Sequence, residues 1–205
     1  MDNGNKIIDW LTELLVKKGF SKDTTMRELW IKTRINFRVV AADINTYSMV
    51  IFDYVNTPNL KVLKAIRMST CIPLVFSSQY YNNTYYVDGS IINNYPIEIY
   101  ENNLSTTLGC KLLSKREMCK DNLIDSFDSY LLNIINCFLI NKEKQASSFD
   151  KYTEHTIGIN AYQITNALNF NLSKSDVQSL IDMGYNSCSS YFCEKQEIDN
   201  DKFWI

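Results

Sequence analysis

The sequence predicts an α/β fold, built as a single domain from residue 1 to residue 205. Three observations carry that prediction. Segments with helical spacing of apolar residues alternate with short runs rich in Val, Ile, Phe and Tyr that are bounded by Asn, Asp or Gly. Hydrophobic residues make up 45% of the chain, enough to close one sizeable core. No repeat, low-complexity tract or linker divides the chain, so strands and helices belong to one unit.

The elements follow in order. Ile7, Trp10, Leu11, Leu14 and Leu15 share one face of a first helix, which ends at Lys17, Lys18 and Gly19. Thr25 and Glu28 have capping-box spacing and open a second, short helix. Phe37–Ile44 and Met49–Val55 are strand candidates, with Asn45 and Thr46 as the turn between them. Pro58 leads into a helix over Lys61–Ser69, with Val62, Ala65, Ile66 and Ser69 on one side, and Pro73 breaks it. Tyr80–Tyr81 and Tyr85–Val87 flank Asn82 and Asn83, the pattern of a second hairpin whose last strand ends at Asp88-Gly89. Pro96 suits the first turn of a short helix, where its missing N–H is no loss. Thr106–Leu113 reads as a strand and Asn122–Lys144 as a long helix with Leu123, Phe127, Tyr130, Leu131, Ile134 and Phe138 turned inward. Thr156–Ala161 is a further strand. The last helix starts at the N-cap Ser173, with Asp176 three residues on, and runs to about Glu194.

Composition excludes several functions. With 21 basic and 23 acidic residues there is no basic excess for a phosphate backbone, so no nucleic-acid partner is expected. The six cysteines, Cys71, Cys110, Cys119, Cys137, Cys188 and Cys193, contain no C-x-x-C pair, which argues against zinc and for a reduced compartment. The single histidine, His155, rules out a metal site that needs two, and we read it as a satisfied surface residue. No signal peptide opens the chain. The most apolar run, Leu131–Ile140, is interrupted by Asn133 and Asn136 and is too short to span a bilayer. The expectation is an intracellular protein, cytoplasmic or peripheral to a membrane, with no metal and no cofactor. No two of the 6 glycines lie four apart, so the sequence holds no G-x-S-x-G elbow. The dinucleotide and P-loop fingerprints are also missing.

The most informative stretch runs from Lys61 to Tyr100. It contains Lys64-Ala-Ile-Arg-Met-Ser-Thr-Cys-Ile-Pro73, then Leu74-Val-Phe76, then Tyr86-Val-Asp-Gly-Ser90, then Ile92-Asn-Asn-Tyr-Pro96. An Asp at the C-terminal end of a strand, followed by a Gly that frees the backbone, is well placed to project into a crevice. Asn93 and Asn94 can bond the surrounding loop. Taken alone, Asp88-Gly89 would read as an ordinary turn after a strand.

The whole stretch resembles the patatin-like phospholipase family. Its members carry A-I-x-A-S-x-S-I-P on a helix, then a hydrophobic-Phe step, then D-G-[GA], then N-N-x-P. Ala65, Ile66, Ser69, Ile72, Pro73, Phe76, Asp88, Gly89, Asn93, Asn94 and Pro96 match in that order. Thr25–Leu29, Phe37–Asn45, Phe52 with Thr57-Pro58, Asn169–Ser173 and Ile181–Tyr185 resemble further family segments.

The resemblance implies a three-layer α/β sandwich that hydrolyses lipid acyl esters with a Ser–Asp dyad and without a histidine. Asp88 matches the catalytic aspartate and Gly89 the glycine after it. Ser90 stands in place of Gly or Ala, Met68 in place of the usual Ala, and Cys71 in place of the second Ser. Ser69 is expected to serve packing or loop bonding, and Ser90 follows Asp88 too closely for a dyad.

The nucleophile serine is absent from the chain, because the family's oxyanion loop and G-x-S-x-G belong upstream of the first helix. On this reading the domain is incomplete at its N-terminus, and the isolated chain is inactive. It pairs with a separate N-terminal chain or is an incomplete reading of a longer gene. The implied partners are a lipid or phospholipid substrate and transient contact with a membrane. The alternative is a non-catalytic lipid- or protein-binding remnant of the family. Tyr80, Tyr81, Tyr85 and Tyr86 could form a rim against lipid, although cross-strand pairs in an ordinary hairpin explain them better.

Overall fold

The computed structural model describes residues 2–113, 125–127, 129–131, 133–134, 151–161 and 172–202. The chain divides into two compact units, one formed by Met1–Tyr95 with Ile124–Leu139, the other by Pro96–Leu123 with Ile140–Ile205.

In the first unit, helix α1 (Asn5–Lys17) starts from Gly4, whose φ of 71° lies in the left-handed region. The expected apolar face is present, yet no residue of α1 is buried and Trp10 remains 60% exposed. Helix α2 (Met26–Thr33) has the full capping box: Thr25 accepts from the Glu28 N–H, and the Glu28 carboxylate accepts from the Thr25 N–H at 2.8 Å. Four strands follow, β1 (Val39–Asp43), β2 (Ser48–Phe52), β3 (Gln79–Tyr81) and β4 (Thr84–Asp88). They form one antiparallel sheet in the order β2-β1-β4-β3.

The two hairpins are those the turn residues predict. Asn82 and Asn83 take φ of 47° and 63°, the left-handed pair that suits a tight two-residue turn. Tyr80 and Tyr85 face each other across that hairpin with ring centroids 4.9 Å apart. Tyr86 points the other way and packs edge-on against Phe52.

Helix α3 (Val62–Ser69) lies against β1 and β4. The core gathers Met26, Val39, Ala41, Phe52, Leu60, Val62, Ala65, Met68 and Tyr86. Phe52, 1% exposed, alone contributes about 2–3 kcal/mol of burial. One expectation needs correction. The buried side of α3 includes Leu63 and Arg67, whereas Ile66 is only half-buried. Most of the predicted helix Asn122–Lys144 lies outside the described residues. Where it is described, Ser126 and Ser129 bond each other's N–H, a capping arrangement four residues later than Asn122.

In the second unit, Pro96 precedes a 3-10 stretch over Ile97–Thr106, where the sequence predicts a short helix. Strand β5 (Gly109–Leu112) pairs in parallel with β6 (Thr156–Ile159). His155 ends the 3-10 turn just before β6. Helix α4 (Lys174–Lys202) starts as expected: Ser173 Oγ accepts from the Asp176 N–H, and the Asp176 carboxylate accepts from the Ser173 N–H. It runs past Glu194, and the Tyr191 hydroxyl donates to the Glu154 carbonyl. Most of the Asn169–Ser173 segment lies outside the described residues.

Candidate active site

Asp88 is the last residue of β4, paired with Ala41 on β1 and half-buried. Its N–H donates to the Cys71 carbonyl at 2.9 Å, which ties the end of the strand to the turn after α3. Its Oδ1 accepts from the Ser90 N–H at 2.9 Å and so caps the 3-10 turn Gly89–Ile91. Among the described residues, Asp88 Oδ2 has no hydrogen-bond partner. One oxygen is therefore held by the backbone.

Gly89 is required by space, not by an unusual φ. A Cβ there would sit 2.8 Å from the Val40 carbonyl oxygen and 3.0 Å from Val40 Cγ1. The Gly89 carbonyl accepts from the N–H groups of Ile92 and Asn93, and Asn93 Oδ1 accepts from the Tyr95 N–H. The motif residues Asp88, Gly89, Ser90 and Asn93 thus form one continuous turn. Asn94 is exposed at its end and Pro96 starts the 3-10 stretch. Ser69 closes α3, two residues before Cys71. Pro73 begins a turn in which Leu74 takes a φ of 68° and the Phe76 N–H returns to the Ile72 carbonyl.

Cys71 is fully buried and its thiol donates to the Ser77 carbonyl at 2.9 Å. Burial pushes its pKa up. The Arg67 guanidinium beside it pulls the other way, and the Asp88 carboxylate adds to the rise. A buried, protonated thiol is inert, so Cys71 is no substitute nucleophile. The Ser90 backbone N–H is committed to the Asp88 carboxylate, which fixes the turn that follows the aspartate.

Two contributors are not legible in the sequence. The Cys71 carbonyl acts through the backbone, and no side-chain pattern reports it. Arg67 stands at an unspecified position of the helix motif. Its only signal is a charge on a mostly apolar helix. The described residues contain no group of three or more His, Cys, Asp or Glu able to hold a metal ion.

The patatin-like phospholipase family model matches residues 1–100. A probable lipid hydrolase, 463L of Invertebrate iridescent virus 6, is 37% identical over 82 residues, covering 40% of this chain and 28% of the viral protein. The uncharacterized protein R571 of Acanthamoeba polyphaga mimivirus is 24% identical over 193 residues, covering 91% of this chain and 63% of its own. The chain therefore spans less than two thirds of either relative. Among solved structures, VipD from Legionella pneumophila superposes with a TM-score of 0.58 at 15% identity, covering 86% of this chain and 37% of VipD. At that identity the likeness speaks for the α/β fold alone.

Proposed function

Through its first 100 residues the chain belongs to the patatin-like phospholipase family, and we propose that it is the aspartate-bearing part of a lipid acyl hydrolase. In this reading Asp88 is the base of a Ser–Asp dyad acting on phospholipid or neutral-lipid esters. A serine hydroxyl is a weak nucleophile near neutral pH and needs a base within hydrogen-bond reach. The observation that supports the role is the Asp88 carboxylate itself, with Oδ1 fixed by the Ser90 N–H and Oδ2 left to take the proton.

Since these 205 residues hold no G-x-S-x-G, the nucleophile is supplied by other sequence, in the same gene product or in a second chain. Oxyanion donors come from there too, and the isolated chain is inactive. The substrate is met at a membrane surface by transient contact. Among the described residues, no helix is long and apolar enough to cross one.

Hydrolysis of a short-chain ester and of phosphatidylcholine vesicles by the complete gene product, with and without Asp88→Ala, tests the proposal. Loss of a positioned base costs about 10²–10⁴ in rate, so turnover should fall by at least about a hundredfold while vesicle binding persists. Undiminished hydrolysis in Asp88→Ala would end the dyad reading. Vesicle binding with no hydrolysis in either protein would favour the non-catalytic remnant.

A further inference from the structure

We propose that Arg67 is a positioning residue for Asp88, acting through the turn Cys71–Ser77, and that it is kept for this role at no gain in stability. This rests on the Asp88 reading above.

Arg67 is 4% exposed. Its Nε and Nη2 both donate to the Asn3 carbonyl, at 3.2 and 3.0 Å, and its guanidinium lies over the Phe76 ring at 5.1 Å. Gly4 leaves room for it, since a Cβ there would come within 2.5 Å of Nε. The segment it grips is stitched to the same turn. The Asp2 N–H donates to the Val75 carbonyl, and the Asp2 carbonyl accepts from the Ser77 N–H. Arg67 thus clamps both sides of the turn whose first carbonyl, that of Cys71, holds the Asp88 N–H. That turn needs a clamp, because Leu74 sits in the left-handed region that a side-chain-bearing residue adopts only when its surroundings impose it.

The clamp is a poor stabiliser. Arg67 Nη1 is buried without a hydrogen-bond partner, and among the described residues no carboxylate pairs with the guanidinium. A buried cation without a partner charge carries a desolvation cost that two hydrogen bonds to a single carbonyl do little to offset. The Asn3 carbonyl belongs to an exposed residue and can turn to water. A charge that costs what it returns, four residues before Cys71, points to a role in holding the site.

Arg67→Met and Arg67→Lys in the complete gene product test this with three readouts: melting temperature, amide exchange at Asp88, and ester kinetics. Arg67→Met should melt within a few degrees of wild type. Its Asp88 N–H should exchange at least about tenfold faster while the Ala41 N–H stays protected, and kcat should fall about tenfold or more at unchanged KM. A tenfold change corresponds to about 1.4 kcal/mol, the scale of one hydrogen bond. Arg67→Lys, which can still donate to the Asn3 carbonyl, should recover part of both losses. A large drop in melting temperature for Arg67→Met would make Arg67 a structural residue and overturn the proposal. Unchanged Asp88 exchange would overturn it as well. The exchange readout does not depend on turnover, so failure of the dyad reading, seen as hydrolysis that survives Asp88→Asn, is told apart from failure of this one.

Discussion

Three Gly→Ala substitutions should change stability by different amounts and in different directions, for reasons visible in the packing. At Gly89 the added methyl would lie 2.8 Å from the Val40 carbonyl oxygen, 3.0 Å from Val40 Cγ1 and 3.1 Å from the Val40 carbonyl carbon. Two of those three atoms are backbone of the central strand β1, so no side-chain rotation relieves the clash and the strand must move. Overpacking of this kind costs about 1–3 kcal/mol. The φ of Gly89 is not in the left-handed region, so Ala adds no backbone strain and gains about 0.4–1 kcal/mol by restricting the unfolded chain. The net is a loss centred on about 1.3 kcal/mol, between bounds of about 0 and 2.6.

Gly184, inside α4, has nothing within 4 Å of the position an added methyl would take. Ala there should add about 0.5–1 kcal/mol through helix propensity alone. At Gly158, on β6, the obstacle at 2.9 Å is the Leu113 Cδ1, the end of a flexible side chain, and the change should lie near zero. Urea unfolding followed by circular dichroism reads all three. A Gly89→Ala protein more stable than wild type would refute the close approach of β1 to the Gly89 turn from which the loss is worked.

Other expectations concern the sheet and its caps. The Thr84 hydroxyl sits 2.7 Å from Asp43 Oδ1 and 2.8 Å from Asn45 Oδ1, linking β4 to the β1–β2 turn. Thr84→Val should cost about 1–3 kcal/mol in urea unfolding, because Asp43 is only 7% exposed and loses a partner. Burial alone would raise the Asp43 pKa, but hydrogen bonds from Thr84, Asn45 and Thr46 together outweigh it and hold the carboxyl below its usual range. Its contribution to stability is therefore present above the unfolded value, about pH 4, and is lost as pH falls through the lower folded value. Thr84→Val should flatten that acid limb, seen as a smaller drop in melting temperature between about pH 5 and pH 3. Thr25→Ala should lower stability by about 1 kcal/mol by removing the cap of α2, checked by the same urea titration.

Local chemistry in the sequence locates the elements well where a turn or cap names itself. Asn82-Asn83, Asn45-Thr46, Thr25 with Glu28 and Ser173 with Asp176 each mark a boundary to within a few residues. The helix over Lys61–Ser69 is legible, but its buried side only in part: Val62 and Ala65 are buried, Ile66 and Ser69 half-buried. A short helix packed on several sides has no clean polar face, and Arg67 is buried where charge predicts exposure. The glycine after Asp88 reads as freeing the backbone; it is needed because β1 passes too close for any side chain. The hold on Asp88 by Cys71 runs between main-chain atoms 17 positions apart, a relation that residue types alone do not encode.

Labelling of the complete gene product with a serine-directed fluorophosphonate, wild type against Asp88→Asn, tests the central role of Asp88 most directly. We expect label at one serine outside these 205 residues, in the same gene product or in a partner chain assayed with it, with Asp88→Asn slowing the labelling at least about a hundredfold. Equal labelling of both proteins, or labelling at a serine within these residues, would contradict the account.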